Sequence, residues 1–82
     1  MQSFFAVKND TAFPAISVDI DGRRVFYDII KGDVSAFIAM PCGSVALAVY
    51  NNYERLIFDA WISLPPKKRL ILSVTDKSAA FI

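Results

Sequence analysis

Residues 15–30 read Ala15-Ile16-Ser17-Val18-Asp19-Ile20-Asp21-Gly22-Arg23-Arg24-Val25-Phe26-Tyr27-Asp28-Ile29-Ile30, two β-rich runs on either side of Asp-Gly. A two-residue type I′ turn needs positive φ at both central positions, and Asp followed by Gly tolerates this best. With Asp21 and Gly22 in the turn, Ile20 faces Arg23, Asp19 faces Arg24, Val18 faces Val25 and Ile16 faces Tyr27. That register gathers Ile16, Val18, Ile20, Val25 and Tyr27 on one face and sets the pair Asp19 and Arg24 on the other. A slip by one residue would scramble the separation, so the pattern specifies its own pairing.

Period-two alternation extends outward from this hairpin. Ser3 to Lys8 reads as a first strand, followed by a loop over 9–14 in which Pro14 keeps Phe13 extended. Lys31-Gly32-Asp33 ends the hairpin, with Gly32 as the residue of positive φ. Ser35 to Met40 is the next strand, and Pro41-Cys42-Gly43 turns the chain. Ser44 to Tyr50 points Val45, Leu47 and Val49 one way and Ala46, Ala48 and Tyr50 the other. After Asn51-Asn52, a long strand over Arg55 to Leu64 has Leu56, Phe58, Ala60, Ile62 and Leu64 inside. Its outer set is Arg55, Ile57, Asp59, Trp61 and Ser63. Pro65-Pro66-Lys67-Lys68 is a connection, because neither proline can donate to a central ladder. Arg69 to Thr75 turns Leu70, Leu72 and Val74 inward, and Ala79 to Ile82 forms a short edge. No stretch repeats apolar residues at helical spacing. Seven or eight short strands with regular turn signals predict an all-β, antiparallel β-sandwich, immunoglobulin-like or transthyretin-like, in hairpin and Greek-key order.

Eighty-two residues are enough for one domain, 1–82. A chain this short buries only about 60% of the surface it exposes when unfolded. Yet 55% of the residues are hydrophobic and the mean hydropathy is +0.41, high for so small a body. The excess predicts that a partner covers part of the apolar surface, most simply a second copy.

The turn signatures carry a resemblance. Asn9 through Pro14, Val18-Asp19-Ile20 with Asp21-Gly22, and Ser35 to Met40 ahead of Pro41-Cys42-Gly43 are similar to the bacterial family catalogued as domain of unknown function 4397. The likeness spans Phe5 to Asp76. It implies a small β-sandwich of the kind often found in tandem in secreted or surface-anchored proteins, with no established enzymatic activity and no functional residues to carry over. Read as a complete chain, it would depart from the family in standing alone and in lacking a leader, and it has Cys42 where a small residue is usual.

Composition narrows the chemistry. Nine basic against eight acidic residues leave a charge of +1, too little excess for a general nucleic-acid binder. Without histidine there can be no His-dependent nucleophile and no His-containing zinc site. Cys42 is the only cysteine, which excludes an internal disulfide and fits a reducing compartment. Asp19-Ile20-Asp21-Gly22 imitates the opening of a calcium loop, but Arg23, Arg24, Val25 and Phe26 follow and no Glu closes it. A hairpin turn with a cross-strand ion pair is the better reading. Cys42 beside Pro41 and Gly43 is read as an incidental turn residue, with no basic neighbour to activate it. Lys67, Lys68 and Arg69 are read as a solvated loop guarding a strand edge. No stretch approaches the roughly 18 apolar residues of a membrane helix, and the N-terminus lacks a basic leader region. A complete chain would be cytoplasmic; one trimmed of a leader would be secreted or surface-bound.

These readings predict no enzyme, no cofactor, no metal and no membrane insertion. They predict a structural or protein-interaction module that self-associates or binds a protein partner. Tyr27, Ile57, Trp61 and Ile71 are the interface candidates. The alternative is a ligand-binding sandwich that presents its aromatics, Tyr27, Tyr50, Tyr53 and Trp61, to a glycan or peptide.

Overall fold

The Asp21-Gly22 turn forms as expected, with φ of 50° at Asp21 and 82° at Gly22. The computed structural model describes residues 2–66 and 69–82. Its strands are β1 (Gln2–Asn9), β2 (Ala15–Ile20), β3 (Arg23–Ile30), β4 (Ile38–Pro41), β5 (Gly43–Asn51), β6 (Leu56–Leu64), β7 (Arg69–Val74) and β8 (Ala79–Phe81). They make two sheets of four, ordered β4-β1-β7-β8 and β3-β2-β5-β6. The fold is an all-β sandwich. Every strand pair is antiparallel except β1 with β7, which run parallel from Phe4 opposite Arg69 to Asn9 opposite Val74.

Alternation fills the space between the sheets. Phe5 and Val7 from β1 and Leu72 and Val74 from β7 meet Ile16, Val18 and Ile20 from β2 and Val45, Leu47 and Val49 from β5. Each such side chain contributes about 1.5–3 kcal/mol when fully buried. Phe5 and Phe26 join the two sheets edge to face, with ring centroids 5.5 Å apart. The Asn9 amide is fully buried and closes one end of the core. Its Nδ2 donates to the carbonyls of Phe13 and Ile29, and its Oδ1 accepts from the Thr11 amide and hydroxyl. The turn reading of 9–14 did not anticipate this role.

Three local registers depart from simple alternation. In the hairpin, Ile20 faces Arg23 and Asp19 faces Arg24 as expected, but Val18 faces Phe26 and Ile16 faces Ile29. Val25 is unopposed, and Tyr27 with Asp28 together span Ser17. The physical reason is a pair of β-bulges: Asp28 takes φ of 47°, and the buried Ser17 hydroxyl accepts its amide at 3.1 Å. Phe26 and Ile29 therefore enter the core, Val25 packs against it half-buried, and Tyr27 is turned out to solvent.

A third bulge lies in β6. Val49 faces Phe58 and Tyr50 faces Leu56, so Ile57 is the extra residue. Leu56, expected inside, is 53% exposed, whereas Ile57, expected outside, packs against the core.

The strand expected over Ser35 to Met40 is ordered as strand only from Ile38. Ser35 bonds Val7 both ways, its amide to the Val7 carbonyl and its Oγ to the Val7 amide. A side-chain hydroxyl thus replaces a ladder partner, and pairing resumes with Ile38 opposite Phe5. No helix among the described residues is long and apolar enough to cross a membrane.

Candidate functional site

Sheet order decides which candidate residues can act together. Tyr27 is 69% exposed on β3, and Trp61 is 76% exposed on β6, at opposite edges of one sheet. Three strand spacings of about 4.8 Å separate their strands. Ile57 shares β6 with Trp61 but turns toward the core. Ile71 belongs to the other sheet, half-buried on its outer side opposite Ala6. The four candidates do not form one patch.

Both edges of this sheet carry two exposed large apolar side chains, Tyr27 and Ile30 on β3 and Leu56 and Trp61 on β6. Trp61 lies opposite Ala46 on the outer face, and a shallow hollow of about 260 Å³ runs beside it over Ala46 and Asp59. On the inner face Phe58 and Ile62 pack on the core but stay half-exposed, because no further strand covers their flank. Alternation placed Trp61 correctly. It also placed Phe58 and Ile62 on the inner face, where standing at a sheet edge leaves them only half-buried, and it missed Leu56, which lies past the bulge at Ile57.

The β3 edge borders a second groove, about 370 Å³, between β3 and the 33–38 segment. Tyr27, Ile29, Val34 and Ile38 line it along with Asp28 and Asp33. The chain matches no family model, no curated protein and no solved structure.

The carboxylates that imitate a calcium loop are already engaged. Asp19 accepts from the Arg24 guanidinium, and Arg24 also reaches Glu54 at 2.9 Å. These two partners, Asp19 foremost, push the Arg24 pKa up. The guanidinium also lies over the Tyr50 ring, 5.0 Å from its centroid. Asp21 and Ala46 exchange two hydrogen bonds of 2.8 Å, which dock the hairpin turn onto β5. Among the described residues no group of three His, Cys, Asp or Glu could hold a metal ion.

At the loop end, Asp10 takes the Ser73 hydroxyl, which together with Lys8 draws its carboxyl below the usual carboxylate range. Cys42 is exposed. Of the basic run, Lys67 and Lys68 lie outside the described residues. Arg69 opens β7 with its guanidinium 4.6 Å from the Phe37 ring centroid.

Proposed function

We propose that this protein is a non-catalytic structural or protein-interaction module that self-associates through the outer edge of β6. The observation that supports this reading most is the exposure of Trp61 and Leu56 on an edge strand whose inner residues, Phe58 and Ile62, are only half-buried. Apolar area left in water is worth about 25 cal/mol per Å² when a partner removes it. The polar groups argue the same way: the carboxylates of the 19–21 segment serve the Arg24 ion pair and the turn, with none aimed at a cavity. The turn signatures that resemble a bacterial family without established catalysis agree. A ligand platform fits less well, because Tyr27 and Trp61 stand on opposite edges.

Native mass by light scattering, followed from nanomolar to tens of micromolar protein, tests the proposal. Mass rising to a multiple of the 9.1 kDa chain supports it. A constant monomer mass rejects it.

A further inference from the structure

Of the four sheet edges, three are short or interrupted and one runs regularly over most of its length. Open edges present unpaired N–H and C=O groups, and proteins blunt them with bulges, prolines, charges or brevity. β3 carries two bulges. β4 is four residues long and ends on Pro41, and β8 has three residues. β6 has nine residues, no proline, and Asp59 as its single charge.

Its regular part runs without interruption from Phe58 to Leu64, between the bulge at Ile57 and Pro65, which has no N–H to donate. Trp61 is the midpoint of that run.

We propose that β6 pairs antiparallel with β6 of a second copy about a two-fold axis passing beside Trp61, joining two four-stranded sheets into one of eight. The inference rests on the self-association proposed above and specifies its geometry. In this register Phe58 meets Leu64 of the other copy, Asp59 meets Ser63, Ala60 meets Ile62, and Trp61 meets its own counterpart. Phe58, Ala60, Ile62 and Leu64 all lie on the inner side, so the core continues across the boundary and the open flanks of Phe58 and Ile62 are covered. Asp59 never faces Asp59. A register centred on Asp59 would oppose two carboxylates, and any other shift runs the pairing into the bulge or the proline. Directly opposed side chains sit about 4.5–5.5 Å apart, and an aromatic pair at that spacing is favourable.

The experiment exploits self-opposition. Trp61→Lys and Trp61→Glu are made in the full chain, and each is checked by circular dichroism for the native fold, which an exposed position should preserve. Monomer–dimer equilibria are then measured by sedimentation for each variant and for their equimolar mixture. Each variant alone should weaken dimerisation at least ten-fold relative to the parent chain, because like charges meet. The mixture should dimerise at least ten-fold more tightly than either variant, because Lys then meets Glu. As Trp61 is the only tryptophan, the parent dimer should also show an exciton couplet in circular dichroism that vanishes on dilution. A parent dimer indifferent to both variants, or variants that do not rescue one another on mixing, overturns the Trp61 register and leaves self-association standing. A parent chain that stays monomeric overturns both.

Discussion

β3 and β6 are the two edges of the same sheet, close in length and both rich in apolar residues, yet they end in opposite conditions. β3 uses its bulges to turn Phe26 and Ile29 into the core and to hold Asp28 in a left-handed conformation that spoils a flat pairing edge. β6 confines its irregularity to Ile57 and leaves seven consecutive residues in register with β5. The lesson is that a bulge does two things at once. It chooses which side chains are buried, and it decides whether the strand can accept a neighbour.

The largest test of that contrast is a pair of truncations. Phe26→Ala removes a ring that is 4% exposed and should cost about 3–5 kcal/mol. Phe58→Ala on the open edge should cost about 1–2 kcal/mol, measured where the chain is monomeric. Urea midpoints give both numbers, and equal losses would erase the distinction between a sealed edge and an open one.

A smaller effect probes the bulge itself. Asp28→Val forces a β-branched residue to φ near 47° and should destabilise by about 1–2 kcal/mol, whereas Asp28→Gly should be tolerated. If valine were accepted as readily as glycine, the left-handed residue would not be what shapes β3.

The smallest effect concerns the side chain that connects the two ends of the sheet. Arg24 on β3 reaches Glu54 in the turn before β6, with Glu54 well exposed. Glu54→Gln should change stability by no more than about 0.5 kcal/mol, and less in high salt. A larger loss in a thermal melt would mean that the two edges are coupled through Arg24 rather than independent.

Much of the architecture was legible because alternation is local. Val45, Leu47 and Val49 had to share a face whatever they packed against, and Asp21-Gly22 had to turn. The outward placement of Trp61 followed by counting back from Leu64. The same counting misplaced Leu56 and Ile57 by one side, and Tyr27 likewise, because each lies at or past a bulge. A bulge depends on what the opposite strand offers. The Ser17 hydroxyl accepts the Asp28 amide from eleven positions away, a partnership that composition and spacing do not encode.

By itself the sequence determined a sandwich of short strands, the place of its first hairpin, and an excess of apolar side chains for its size. The reason is that side chains on an extended backbone alternate by geometry alone. Only the tertiary structure decided that β1 runs parallel to β7, that the interface candidates scatter over two edges and a second sheet, and that β6 is the edge left open. Those outcomes depend on which distant backbone groups find partners, and hydrogen bonds between residues sixty or more apart are settled by the folded whole.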